Sequence, residues 1–295
     1  MANLKSERHH WWPESLSDFW KDEVGRVHWL LPDASVKHLP PKNCGVIVGG
    51  HHIKMGTHAD EATVWGESFE HEFQDADSGF PGLIRWLQSL DRQAVDVPER
   101  KHRFLPQAAS QEQVRLLIEC LVSLAVRSPM NREAAVSLAE RLRGPLPEQE
   151  RNLLIGANMR HSYRRALQAF GTRGKIAVIF SPDREFIFGD GFFHNLLSPN
   201  SAPSQPQILA PLTPEISVLY ARPFQYRTAP QLSTLVITAD EAVLLNNAVQ
   251  VYARKVLFYR SEPPRIIDDY RQGSHKRYNQ SDHPIDQIIH DLSGM

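Results

Sequence analysis

At 295 residues the chain is long enough for one large domain or two modest ones, and its 41% of hydrophobic residues are enough to build a core. A formal net charge of -1 removes bulk electrostatic attraction to nucleic acid or membrane, so either partner would need a local patch. The two cysteines, Cys44 and Cys120, lie far apart without CxxC spacing, which argues against a disulfide framework or zinc knuckle and fits a reducing cytoplasm. No window approaches the roughly 18 uninterrupted apolar residues of a membrane span, so no membrane role is expected.

The chain opens on Arg8-His9-His10-Trp11-Trp12-Pro13. Two imidazoles, two indoles and a proline are costly in a flexible arm, so this stretch is expected to insert into the body of the fold. Residues 14 to 55 read as short strands. Val27 to Leu31 and Val36 to Leu39 flank a Pro32-Asp33-Ala34-Ser35 turn, and Val46-Ile47-Val48 is a third candidate strand. Gly49-Gly50 then bends the chain before His51-His52-Ile53-Lys54. From 67 to 91 apolar residues recur at helical steps, with Gly79 and Pro81 expected to split the run into two helices. Residues 93 to 107 read as a connector. Ser110-Gln111-Glu112-Gln113 is a capping box that opens a helix up to Pro129. A second helix runs from about Asn131 to Gly144, and a third from about Glu148 to Phe170.

The period changes at Lys175 to Phe180, a strand followed by the Pro182-Asp183 turn and a second strand, Glu185 to Phe188. This is the strongest hairpin pattern in the sequence, and it delivers Gly189-Asp190-Gly191 at a strand end. A Ser/Pro loop covers 198 to 206, and Ile216 to Tyr220 is another strand. Thr238-Ala239-Asp240-Glu241 is a second capping box, opening a helix that ends before Pro263-Pro264. The expected class is α+β: a helical centre packed with a mixed or antiparallel sheet formed by the N-terminal strands and the hairpin near 175–188. A single domain would cover residues 1–261. The polar tail, 262–295, would be partly disordered or docked on a partner protein or a second copy of the chain.

Several motifs occur in an order that resembles an uncharacterised family, domain of unknown function 4238. They are His9-His10-Trp11-Trp12-Pro13 with Leu16-Ser17-Asp18-Phe19, then Glu67, Glu70 and Glu72, then Arg127-Ser128-Pro129 with Arg132-Glu133. Pro211-Leu212-Thr213-Pro214 and Leu245-Asn246 follow. Pro13 and Leu16 stand one residue closer than in the usual pattern, which marks a divergent branch. Only the aspartate of a Ser-Asp-Asn-Pro element survives, as Asp190. The likeness runs over most of residues 8 to 260 and implies a shared fold and polar centre, but no particular reaction.

The candidate chemistry starts with His9 and His10. Neutral imidazoles bind transition metals, and Glu70 and Asp190 would complete such a site or pair with histidine for acid–base work. The structural alternative is that one histidine bonds a backbone carbonyl while the other is exposed. His52 and Lys54, after the glycine hinge, suit an anion or an ordinary edge strand. Arg160 and Arg164 share a helix face and with Arg127 would neutralise phosphate, although a solvated face carries the same residues. The six tryptophans, all in the first third, wall a pocket or build core. No HExxH, Walker loop, dinucleotide fingerprint or Gly-x-Ser-x-Gly is present.

Two functions follow as expectations. The first is a hydrolase acting on a phosphate-containing substrate, most simply a nuclease of a defence or toxin-type system. Its catalytic residues would be His9, His10, Glu70 and Asp190, and its substrate-binding residues His52, Lys54, Arg127, Arg160 and Arg164. A divalent metal is the candidate cofactor, and nucleic acid or a nucleotide the candidate partner. The alternative is a non-enzymatic binding or assembly module working through 262–295.

Overall fold

The computed structural model describes residues 8–48, 51–53, 67–95, 97–171, 173–196, 205–274, 276 and 283–295. The fold is α+β, with two main sheets and a group of helices that pack on one another. The larger sheet has five strands in the order Gln207–Thr213, Ile216–Ala221, Lys175–Phe180, Leu232–Val236 and Phe104–Gln107. Only the pairing of Lys175–Phe180 with Leu232–Val236 is parallel. The smaller sheet is antiparallel in the order Val36–Leu39, Val27–Leu30, Leu257–Tyr259 and Phe188–Gly189. Two short ladders, Arg8–His10 with Val46–Val48 and His52–Ile53 with Glu67–Ser68, hold the N-terminal segment.

Locally specified elements form as their sequences require. The Val27–Leu30 and Val36–Leu39 hairpin is present. Both capping boxes close: Gln113 N donates to Ser110 Oγ at 3.1 Å, and Glu241 N to Thr238 Oγ1 at 3.2 Å. The helix Glu148–Phe170 ends at Gly171, whose φ of 51° is cheap only without a side chain.

The hairpin expected near 175–188 is not formed. Lys175–Phe180 is buried along its whole length and lies between two other strands, whereas Phe188–Gly189 belongs to the smaller sheet. An unbroken apolar run marks a central strand with neighbours on both sides, and here those neighbours come from later in the chain. On either side of the turn, Ser181 N and Phe186 N donate to Glu215 O and Pro214 O, so the chain runs along the end of the neighbouring hairpin.

Pro81 likewise does not split its helix, which runs unbroken over Gln74–Gln88. A proline removes the donor for the carbonyl four residues earlier, here Asp77 O. Ser15 Oγ supplies the missing bond at 2.6 Å, so the interruption is repaired from outside the helix. Gly79 leaves room for Leu116, whose methyl would lie 2.7 Å from a Cβ at that position. The expected connector 93–107 ends in the edge strand Phe104–Gln107.

The described parts of 262–295 pack on their own chain. Ile285, Ile288 and Leu292 of the helix His283–Ser293 are buried in the main core, which also contains Trp11 and Trp12. Arg100 pairs with Asp291 at 2.8 Å, and Tyr270 donates to Leu30 O at 2.8 Å. Among the described residues, no helix is long and apolar enough to cross a membrane.

Candidate metal centre

The Arg8–His10 strand is fixed at its far end by tryptophan packing. Trp12 is fully buried, with ring centroids 5.0 Å from Phe188 and 4.3 Å from Phe258. Trp20, also buried, donates to Leu212 O at 2.9 Å. Trp11 N donates to Gly45 O at 2.7 Å. Gly45 has a φ of 64°, and a Cβ there would meet Trp12 Cβ at 2.5 Å, so only glycine fits this crossing. The tryptophans with described positions are thus mostly core: Trp11, Trp12 and Trp20 all belong to it. Trp65 lies outside the described residues.

Successive side chains on a strand point to opposite faces. His9 turns inward and is buried, while His10 turns outward and its Nε2 lies 3.2 Å from Lys42 O. Only one of the adjacent histidines can therefore enter the centre. The second imidazole there is His51, buried at the start of the short ladder with Glu67–Ser68. Its carbonyl accepts from Phe69 N at 3.1 Å, and its amide approaches His9 Nδ1 at 3.4 Å. Glu70, one residue beyond Phe69, contacts His51 Nδ1 through Oε2.

Ligand atoms of His9, His51 and Glu70 all lie within 4.8 Å of one another. Among the described residues this is the one group of three or more histidine, cysteine or carboxylate side chains with metal-site geometry. Two imidazoles and a carboxylate form a donor set suited to zinc and similar transition metals. The imidazoles are buried, whereas the Glu70 side chain is 42% exposed, so the centre opens to solvent on the carboxylate side.

Behind the imidazoles stands an aromatic and cationic layer. Phe73 packs 5.1 Å from His51 and 4.8 Å from Tyr163, and the Arg127 guanidinium lies 4.7 Å from the Phe73 centroid. Arg127 is fully buried and forks onto Asp77 at 2.5 and 2.9 Å. Arg127 also donates to His10 O at 3.2 Å, tying the helix Gln111–Arg127 to the histidine strand. Arg160 and Arg164 converge on Glu72, at 2.6 and 2.8 Å.

The expected site is therefore only partly assembled. His9 and Glu70 meet, His10 stands outside the donor set, and His51 is the member that sequence reasoning did not place among the catalytic residues. His52 is described only as a strand position opposite Ser68, and Lys54 lies outside the described residues. Arg127 is committed to Asp77 rather than free for phosphate, while Arg160 and Arg164 share one carboxylate.

Asp190 is spent elsewhere. It is buried, and its carboxylate accepts from Arg254 N at 2.8 Å and Lys255 N at 3.1 Å. Burial pushes its pKa up, opposed by those amides and by Val256. The flanking glycine is a packing device, because a Cβ at Gly191 would strike the Tyr252 carbonyl. Asp190→Ala is expected to leave buried amides without an acceptor and to lower stability by about 1–3 kcal/mol. Metal affinity should be unchanged; urea denaturation and metal titration of the variant check the two halves.

No family model matches the chain, and no curated protein or solved structure matches it either.

Proposed function

We propose that this protein is a metal-dependent hydrolase of phosphate-containing substrates, with His9, His51 and Glu70 holding the ion. The observation that carries the reading is the mutual approach of three ligand atoms within 4.8 Å, two of them on buried imidazoles. Among the described residues the group supplies three ligands, the number of protein ligands that catalytic zinc sites carry. A divalent ion there supplies Lewis acidity and an activated water.

The protein's own groups account for the remaining tasks. His9 and His51 would hold the ion from the buried side, with the partly exposed Glu70 toward solvent. Glu72, two residues on, accepts from both Arg160 and Arg164. Arg164, with a side chain 58% exposed, is the one able to swing to a phosphate while Arg160 keeps Glu72 in place. Hydrolysis of a diester forms a bond from water oxygen to phosphorus, breaks one phosphorus–oxygen ester bond, and passes a proton to the departing alkoxide.

The test is turnover of bis-p-nitrophenyl phosphate by the full chain, stripped with EDTA and reloaded with zinc or manganese. Activity should return with metal, vanish in His9→Ala, and fall in Arg164→Ala. Metal binding without turnover of any phosphodiester would make the centre structural.

A further inference from the structure

A second concave site lies at one end of the larger sheet. Lys175 pairs with Ala221, and Leu232 with Ile176, so the residues just outside these strands gather at the same edge. They line a cleft of about 430 Å³ formed by Arg173, Gly174, Arg222, Phe224, Tyr226 and Gln231 among others. That volume lies within the range of small-ligand sites.

Its construction is specific. Gly174, at a φ of 104°, lets the chain pass Tyr220, whose hydroxyl donates to Arg173 O at 2.5 Å. Arg222 is held by a bond from Nη1 to Ala169 O at 3.0 Å, at the end of the helix Glu148–Phe170. Phe224 projects into solvent with 79% of its surface exposed. Among the described residues, no carboxylate pairs with Arg173, Arg222 or Arg227. In sequence the rim reads Arg222-Pro223-Phe224-Gln225-Tyr226-Arg227, cations interleaved with aromatics.

We infer that this cleft binds a nucleotide unit, free or within a single strand, with the base stacked on Phe224 or Tyr226 and the phosphate on Arg173 and Arg222. An exposed phenylalanine beside guanidiniums that no carboxylate neutralises offers a flat apolar face and positive charge together, and base–aromatic stacking with a cationic groove is how single strands are held. The inference does not rest on the metal centre.

The experiment titrates the full chain in EDTA, which keeps binding here separate from any event at His9. The probes are fluorescein-labelled oligothymidylate, followed by polarisation, and ADP against pyrophosphate by calorimetry. Phe224→Ala and Arg173→Glu, both at exposed positions, should each weaken nucleotide binding about tenfold with Tm unchanged. The salt slope should fall by about 0.7 for the lost arginine if oligonucleotide binds. Tighter binding of oligothymidylate than of ADP assigns a single strand; the reverse assigns a free nucleotide. Pyrophosphate bound as tightly as ADP, no binding of either nucleotide probe, or variants indistinguishable from the parent would each overturn the inference.

Discussion

Glu70→Gln is expected to reduce affinity for zinc by at least about a hundredfold while leaving the Tm of the metal-free protein within about 1 °C. Loss of an outer partner to a metal ligand costs about 10–100-fold, and loss of a charged ligand should cost at least the upper end of that range. The folded state has little to lose by the change. The Glu70 side chain is 42% exposed, and glutamine keeps its shape and an acceptor oxygen. His51→Ala should abolish binding as well, but with a stability cost, because the ring packs against Phe69 and Phe73. The affinity should also weaken in acid, because protons compete for the imidazole lone pairs that bind metal. Competition titration with a chromophoric chelator measures all of this. Unchanged affinity in Glu70→Gln would place the ion elsewhere on the protein.

What could be read before the structure was what neighbours in sequence decide. The capping boxes at Ser110 and Thr238, and the end of a helix at Gly171, depend on atoms within a few residues of each other. The central strand Lys175–Phe180 depends on 216–221 and 232–236, so its apolar run was legible but its partners were not. Pro81 reads as a break because its repair, Ser15, comes from another element. The histidines illustrate the same limit. Alternation shows that only one of His9 and His10 can face inward. The choice of parity is made by distant packing on Trp12, and His51 is packed on Phe69 and Phe73 from another element. The arginines were visible as charge, but their carboxylates were not: Glu72 lies 88 residues from Arg160, and Asp77 lies 50 from Arg127. The second cleft was missed because its arginines come from two strand ends that only the sheet brings together.

Asp77→Ala is expected to be the most damaging single change near the centre, lowering stability by about 3–5 kcal/mol. Arg127 is always charged, and its side chain has no exposure at all, so without Asp77 a full positive charge stays buried. The carbonyls of His10 and Ser123 and the face of Phe73 would remain as partners, none of which carries a negative charge. The opposite truncation, Arg127→Met, should cost less, because Asp77 keeps 28% of its side-chain surface and can be hydrated. The double variant should therefore be more stable than Asp77→Ala alone, the sign that distinguishes an uncompensated charge from a simple loss of contacts. Denaturant midpoints for the three variants provide the cycle. Zinc affinity should fall about tenfold in Asp77→Ala, because Arg127 backs Phe73 and Phe73 backs His51. If Arg127→Met instead keeps parental stability and zinc affinity while losing phosphodiester turnover, the guanidinium handles substrate, and its pairing with Asp77 is a resting arrangement that the substrate displaces.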